Sequence, residues 1–504
     1  MAVPALRVST LNAAPLRPDG DFVLYWMIAF RRPHYNFALE RAVELAKQHG
    51  KPLIVLEALR VGYPWASDRL HRFVLQGMAD NARAFDEKRV LYRAYVEPRA
   101  GAGSGLVESL AARAVAVVTD EYPCFFLPRM LRKVAPRLAA RLESVDSNGL
   151  VPLRAPGKVF ARAFDYRRFV QRSLRAHLLD RPRADPLSGL RIPVLDELPA
   201  AVRRRWPMAK PAELEARAPA LARLPIAHHG GGPSYRGGHR AGAATLARFV
   251  EQRLERYADD RNHPDLDATS GLSPYLHFGH VSAHEVFERV ARAEDLEIDA
   301  FANEPVARAR GERSGFWQMR PGAEAFLDQL VVWRELGYNF CFERPDDYAS
   351  YGALPEWARR TLEKHARDPR PTLYTLRELE AADTHDPIWN AAQRQLVEDG
   401  RIHNYLRMLW GKKVLEWSAS PEAAAEALVE LNDRYAVDGR DPNSYSGIFW
   451  CLGRYDRAWG PERPIFGTIR YMSSDNTRRK LDLGRYLERY GRSYSEEPSR
   501  SSAR

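Results

Sequence analysis

Three tryptophans stand close together in a segment with a helical pattern. Trp389 precedes Trp410 and Trp417, which are seven residues apart. Seven residues make two turns of an α-helix, so these two indoles share one face, roughly 10 Å apart along the axis. Indoles at such distances can pass an electron to a photo-excited cofactor, because tryptophan is readily oxidised. Core packing also places tryptophan at helical spacing, so both interpretations stay open.

A cluster of small polar residues occupies the stretch TSGLSPYLHFGH at 269–280. Thr269, Ser270 and Ser273 bring hydroxyl groups beside Gly271, directly before a helical pattern. Hydroxyls and backbone N–H groups at a helix start can bind a phosphate, helped by the helix dipole. A capped turn uses the same residue types, so the stretch is either a phosphate site or a structural turn.

Acids, amides and aromatic residues are dense in two later segments, LNDRYAVDGRDPN at 431–443 and WCLGRYDRAW at 450–459. This density is typical of a polar site more than of a core. Arg407, on the helical segment of Trp410, can pair with Asp438. A buried pair of this kind is a weak source of stability but a good electrostatic partner for a redox cofactor.

The elements that must position these groups are of two kinds. From residue 21 to about 155, short apolar runs alternate with helical patterns, which predicts a Rossmann-like α/β domain with a parallel, doubly wound sheet. From residue 241 onward, long helical patterns predict an all-α domain. We therefore expect an α/β domain over 1–180, a linker over 181–240 that is rich in Pro, Arg, Ala and Gly, a helical cofactor-binding domain over 241–495, and a disordered tail over 496–504.

Two weaker motifs are not assigned a function. Gly101, Gly103 and Gly105 stand at a strand-to-helix turn that could hold a phosphate at the helix N-terminus, but they lack the full dinucleotide spacing, which favours a flexible helix start. His228 and His229 lie in the linker, and nothing near them in the sequence completes a metal site. We expect no metal centre.

Composition narrows the class of protein. The 504 residues suit two domains. A formal net charge of +11 favours a polyanionic partner, although free use of arginine gives the same excess. Three widely separated cysteines fit neither a disulfide framework nor a zinc site. Because we find neither a signal peptide nor a membrane span, we expect a cytoplasmic protein.

The four chemical segments together resemble the class II cyclobutane pyrimidine dimer photolyases of the photolyase/cryptochrome superfamily. The resemblance runs from about Arg253 to Tyr490 and is most specific in TSGLSPYLHFGH, THDPIWNAAQ, RMLWGKKVLEW and DGRDPN. The N-terminal half is similar to the family's antenna domain in layout only. The resemblance implies FAD in the helical domain, a second antenna chromophore of deazaflavin type, DNA with a UV pyrimidine dimer as the partner, and a monomer.

The resemblance also implies roles for individual residues. Trp410, Trp389 and Trp417, in that order, match an electron relay from the flavin to the surface, and Asn432 matches the asparagine that hydrogen-bonds the reactive flavin nitrogen. The flavin-binding positions are Tyr257, Thr269, Ser270, Gly271, Leu272, Ser273, Gln393, Arg407, Asp438 and Asp441. The lesion and DNA positions are Arg261, Trp333, Met408, Trp450, Arg454, Arg457, Trp459, Arg463 and Arg470.

Gln329 departs from the family pattern. It aligns with a glutamate that hydrogen-bonds the lesion and aids dimer splitting. A glutamine can hydrogen-bond a thymine carbonyl but cannot lend a proton, and the neighbouring Asp328 cannot substitute from the same helix face. We expect a light-driven lyase that splits cyclobutane dimers by electron transfer from reduced FAD. The alternatives are a cryptochrome-like photoreceptor or a photolyase for another lesion, without efficient dimer repair, and a helical flavoprotein that acts in the dark.

Overall fold

The computed structural model describes residues 2–215, 221–229, 235–304 and 309–491. Its contacts divide the chain into two compact units. The first unit combines Met1–Ala258, Ser270–Tyr348 and Arg440–Asn443, and the second combines Asp259–Thr269, Ala349–Gly439 and Ser444–Arg504. The domain boundaries expected at residues 180 and 240 stay predictions. The tail expected over 496–504 lies outside the described residues.

A six-stranded sheet lies in the first unit. Its strands are β1 (Val8–Thr10), β2 (Phe22–Met27), β3 (Leu53–Leu59), β4 (Leu91–Val96), β5 (Ala114–Asp120) and β6 (Leu142–Val145), in the spatial order β1-β6-β5-β2-β3-β4. The edge strand β1 runs antiparallel to β6, and the other neighbouring strands run parallel. Strands β2 and β5 are buried along their whole length, as a parallel sheet covered on both faces requires. The prediction of a Rossmann-like α/β domain is confirmed.

Helices complete the first unit. They are α1 (Phe37–His49), α2 (Asp68–Glu87), α3 (Leu106–Ala111), α4 (Leu127–Val134), α5 (Ala163–Leu178), α6 (Ala200–Arg205), α7 (Pro211–Leu214), α8 (His239–Gln252), α9 (Tyr257–Asp260, shared with the second unit), α10 (Ser273–His277), α11 (Ala283–Ala293), α12 (Ile298–Asn303), α13 (Pro321–Leu327) and α14 (Arg334–Glu343). Local capping residues determine where these helices begin and end. Asn36 caps α1 by accepting the N–H of Leu39, and Gly50 ends it in the left-handed conformation, with φ of 60°.

The helix that carries Gln329 is interrupted. Between α13 and α14 the chain makes a π-helical turn over Asp328–Trp333. Arg167 of α5 holds this turn, because its Nε and Nη2 donate to the two carboxylate oxygens of Asp328 at 2.6 and 3.0 Å. Both side chains are buried. Short π-helical turns are rare and are frequent at functional sites.

The described part of the second unit is helical. Its helices are α15 (Glu356–Lys364), α16 (Leu376–Glu380), α17 (Pro387–Asp399), α18 (Asn404–Trp417), α19 (Pro421–Tyr435), α20 (Pro442–Cys451, which begins in the first unit), α21 (Ser474–Lys480) and α22 (Gly484–Tyr490). The prediction of a helical C-terminal region is confirmed. Among all the described helices, none is both long and apolar enough to span a bilayer.

Candidate active site

The three tryptophans form one continuous row in the second unit. Asp386 caps α17 by accepting the N–H groups of Ile388 and Trp389, which fixes where this helix begins. The ring of Trp389 stacks on that of Trp410, with centroids 6.4 Å apart and planes 6° from parallel. It meets Trp417 nearly edge-on at 5.6 Å. Trp389 therefore contacts both other rings, although the relay role itself stays a prediction.

Hydrogen bonds orient two of the three indoles. Trp389 Nε1 donates to the backbone carbonyl of Trp410 at 3.0 Å. Trp410 Nε1 donates to Gln393 Oε1 at 2.9 Å, and Gln393 is fully buried. The predicted flavin residue Gln393 thus uses its amide oxygen on the tryptophan row.

The exposed end of the row differs from the expectation. Trp417 is only 2% exposed, so it does not itself reach the surface. Tyr374 is half-buried and packs edge-on against Trp417 at 5.3 Å, and its hydroxyl lies 2.7 Å from Nδ1 of the exposed His385. Tyr374 therefore extends the row toward solvent. The sequence gives no signal for it, because it comes from a loop with no helical spacing to Trp417.

Arg407, Asn432 and Asp438 come together in the second unit. Arg407 Nη1 donates to Asn432 Oδ1 at 3.4 Å, and Arg407 Nη2 lies 3.6 Å from Asp438 Oδ1. Asn432 Nδ2 donates to Asp433 Oδ1 at 2.9 Å, and the hydroxyl of Tyr445 donates to Asp433 Oδ2 at 3.1 Å. Within the described part of the chain, Asp438 Oδ1 is buried and accepts no hydrogen bond.

Asp441 lies in the first unit, where the chain itself surrounds its carboxylate. The hydroxyls of Tyr122 and Tyr338 donate to Oδ2 at 3.0 and 3.2 Å, and the backbone and side-chain N–H groups of Asn443 donate to Oδ1 at 2.7 and 2.9 Å. Burial raises the pKa of Asp441, but the hydrogen bond and charge of His277, the charge of Arg334 and the backbone N–H of Asn443 together outweigh burial and bring the pKa down to about 2. Asp441 therefore stays ionised at neutral pH and anchors its segment to the first unit.

The predicted phosphate-binding turn is divided between the units. Thr269 belongs to the second unit, whereas Ser270, Gly271 and Ser273 belong to the first. Gly271 has a φ of +68°, a conformation that favours glycine. Ser270 Oγ accepts the N–H of Leu272 at 3.4 Å, directly before α10. The hydroxyl of Ser270 thus closes a local turn, and the phosphate-binding role of the stretch stays a prediction.

Tyr257 lies in an aromatic cluster of the first unit. Its ring meets those of Phe249 and Phe326 edge-on at 5.6 and 5.5 Å. The side chain is 8% exposed. Tyr257 therefore packs with α8 and α13.

Gln329 and Trp333 share the π-helical turn, and both are half-buried. Among the residues that the structure describes, the side-chain amide of Gln329 has no hydrogen-bond partner. The carboxylate of Asp328 forms an ion pair with Arg167. The amide of Gln329 is therefore available to a ligand, and Asp328 is not.

Exposed arginines surround one tryptophan in the second unit. The guanidinium groups of Arg457 and Arg470 lie 4.5 and 4.7 Å from the centre of the Trp459 ring, whose Nε1 donates to Asp456 at 2.9 Å. We call Arg457, Trp459 and Arg470 the arginine–tryptophan cluster. Arg463 stacks separately, on Tyr471 at 4.8 Å.

The expectation for Arg454 is wrong. This side chain is only 5% exposed, and its Nη1 donates to the carbonyl of Ala353 at 2.6 Å. It is turned into the second unit and cannot meet DNA phosphates there. Arg261, Met408 and Trp450 are half-buried in the same unit.

Curated proteins resemble this chain over nearly its whole length. It is 36% identical to the deoxyribodipyrimidine photo-lyase of Methanothermobacter thermautotrophicus, over 97% of this chain and 98% of that protein. The proteins of the same name from Oryza sativa and Potorous tridactylus are 33% and 32% identical, over 95% and 94% of this chain and 89% and 81% of their own. No protein-family model matches the chain.

A solved structure shares the fold. The class III photolyase of Agrobacterium tumefaciens superposes with a TM-score of 0.65, over 95% of this chain and 87% of that one. The sequence identity is 17%, so this likeness concerns the fold alone.

Proposed function

Because the chain belongs to the deoxyribodipyrimidine photo-lyase family, we propose that it splits cyclobutane pyrimidine dimers in DNA, driven by light and by an electron from reduced FAD. The single observation that supports this most is the row of Trp410, Trp389 and Trp417, whose rings are in contact. A row of easily oxidised rings can return a photo-excited flavin to its reduced state.

The second unit offers groups that suit a flavin. A buried acceptor such as Asp438 Oδ1 costs free energy unless a donor reaches it. A flavin carries an imide N–H that is such a donor, and the guanidinium of Arg407 would balance the negative charge of the reduced ring. When bound, FAD supplies the one-electron chemistry. The antenna chromophore, the monomeric state and the cytoplasmic location stay predictions.

The hydrogen bonds of the tryptophan row suit the transfer of positive charge without loss of the indole N–H protons. Trp410 donates its N–H to the amide oxygen of Gln393, and Trp389 donates to a backbone carbonyl. Both acceptors are very weak bases, so an oxidised indole keeps its proton. The positive charge then moves from Trp410 to the stacked Trp389 and on to Trp417.

Gln329 and Trp333 support the proposed binding of a pyrimidine dimer. The flat ring of Trp333 can pack on a dimer that is flipped out of the duplex, and flipping a damaged base costs less than flipping a paired one. The free amide of Gln329 can donate a hydrogen bond to a pyrimidine carbonyl. Because an amide does not ionise, this contact persists across the physiological pH range.

A cryptochrome-like photoreceptor is the second candidate, and Gln329 is the observation that favours it. Such a protein would keep the flavin and the tryptophan row but would not need an acid at the lesion. The arginine–tryptophan cluster favours repair instead, since exposed cations stacked on an indole suit DNA phosphates and bases.

One experiment separates the two candidates. The purified protein is illuminated with a thiol as the electron source while flavin absorbance is followed, and dimer-containing oligothymidine is then added in light and in darkness. Photoreduction with loss of dimers only in light supports repair. Photoreduction without any loss of dimers favours the photoreceptor, and a protein that binds no flavin contradicts both.

A further inference from the structure

A buried lysine ties the helix of the tryptophan row to the end of α20. Lys412 of α18 is fully buried, and its Nζ donates to the backbone carbonyl of Cys451 at 2.5 Å. Cys451 is the last residue of α20, so its carbonyl lacks a partner within the helix. A cation at this position also interacts favourably with the negative end of the helix dipole.

The two helices approach each other closely at this point. A Cβ atom on Gly411 would lie 2.5 Å from Cys451 Sγ, so no larger residue fits without a shift of the helices. Cys451 Sγ also lies 3.8 Å from the sulfur of Met408, one turn earlier on α18. Met408 and Trp450 are both predicted lesion-pocket residues, and they lie on the two helices that Lys412 joins.

Joining two helices through a buried ammonium group costs free energy. In the described part of the chain it has no carboxylate within ion-pair distance, whereas the adjacent Lys413 lies 2.9 Å from Glu416. Burial lowers the pKa of Lys412 to about 8, and the thiol of Cys451 and the carboxylate of Asp456 offset this only in part. A buried cation without an ion pair destabilises a fold, which is a reason to look for its use elsewhere.

We propose that Lys412 is a positioning residue for the predicted lesion pocket, and that its ammonium group holds the end of α20 so that Trp450 on α20 and Met408 on α18 keep their places relative to each other. This inference rests on the proposed dimer-repair function. Lys412 acts through the carbonyl of Cys451 and not on the lesion itself.

If Lys412 positions the pocket, the repair yield depends on pH in a different direction from the free energy of unfolding. The titratable and charged groups that act on Lys412 are Cys451, Asp456 and Arg470. When Lys412 loses its proton, its hydrogen bond to Cys451 falls to roughly half its strength, so the pocket loosens as the pH rises through about 8. The folded pKa lies below the ordinary value of 10.5, so the cost of burying the charge is relieved over the same rise. Repair and this part of the stability therefore change in opposite directions.

The test compares Lys412→Met with Lys413→Met, its neighbour on α18. Each protein is reduced with dithionite, so that the tryptophan row is not needed, and the repair yield per photon is measured between pH 6.5 and pH 9. We expect Lys412→Met to bind FAD normally, to repair about fivefold less at neutral pH, and to show a flat profile. Wild type and Lys413→Met should share a higher yield that falls with a midpoint near pH 8.

Three results would overturn the proposal. A wild-type yield and pH profile in Lys412→Met would show that the ammonium does not position the pocket. If that variant does not fold, the wild-type profile decides alone, and a yield that stays constant through pH 8 contradicts the proposal. Wild-type protein that binds FAD but repairs nothing overturns the proposed function and this inference with it, whereas repair by both wild type and Lys412→Met at equal yields overturns the inference only.

Discussion

Single residues carry the chemistry, and Trp410 is the first to test. Trp410→Phe keeps an aromatic ring of similar shape but is much harder to oxidise. We expect FAD to bind normally and photoreduction to slow about tenfold or more, because the first ring of the row no longer donates an electron. Flavin absorbance under blue light measures the rate. Photoreduction at the wild-type rate would remove Trp410 from the relay, and Trp26→Phe in β2 is the matched control.

Gln329 is the second test at this scale. Gln329→Glu restores the acid that the resemblance implies, on a turn where Asp328 is already committed to Arg167. We expect the yield of dimer splitting per photon to rise about threefold, because a carboxyl group can lend a proton to the split product. Quantitative actinometry with dimer-containing DNA measures the yield. An unchanged or lower yield would mean that the site works with an uncharged amide.

Some of these residues could be predicted from the sequence and others could not. Spacing along one helix predicts that Trp410 and Trp417 share a face, and Trp389 contacts both rings, whereas the order of electron transfer stays a prediction. Tyr374 was missed because its position depends on a loop. The prediction that Arg454 contacts DNA is wrong because a sequence shows the charge of a side chain but not where it points. This side chain points inward to the carbonyl of Ala353.

At the scale of elements, the buried ion pair between Arg167 and Asp328 fixes the π-helical turn. Asp328→Ala leaves a buried guanidinium without its carboxylate, which costs about 3 to 5 kcal/mol in the free energy of unfolding. Guanidinium denaturation measures this cost. The control is Asp165→Ala, which removes a half-buried carboxylate in the first turn of α5 that pairs with the exposed Arg162 and should change stability very little. Equal effects in the two variants would contradict an anchoring role for the buried pair.

The elements were predictable to different degrees. Buried apolar runs such as Val115–Val118 in β5 predict parallel strands, because only a sheet covered on both faces hides every side chain. The π-helical turn could not be predicted, since its residues fit the pattern of an ordinary helix. The direction of β1 depends on its pairing with β6, which lies far away along the chain.

At the scale of the whole molecule, the net charge of +11 predicts salt-sensitive binding to DNA. The exposed Arg457 belongs to the arginine–tryptophan cluster, and Arg457→Gln should weaken binding and lower the slope of log affinity against log salt by about 0.9 if it contacts one phosphate. Fluorescence anisotropy with duplex DNA measures both. Arg360→Gln, exposed on α15 and paired with Glu356, is the control, and an equal loss in both variants would show only a general effect of charge.

The division into units was the least predictable feature. A reading along the chain gives contiguous domains, whereas the first unit includes Arg440–Asn443 and the second includes Asp259–Thr269. The insertion of Arg440–Asn443 depends on Asp441 and its hydroxyl donors Tyr122 and Tyr338, which come from distant parts of the chain. Such contacts leave no periodic pattern in the sequence.

Light-driven repair of cyclobutane dimers is the activity that we propose for this protein. The most direct measurement uses an oligonucleotide with a single cyclobutane thymine dimer, mixed with photoreduced protein and analysed by chromatography after blue light or darkness. We predict that intact thymines return in light and that the dark sample keeps its dimer. An unchanged dimer after illumination, with FAD bound and fully reduced, would contradict the proposed activity.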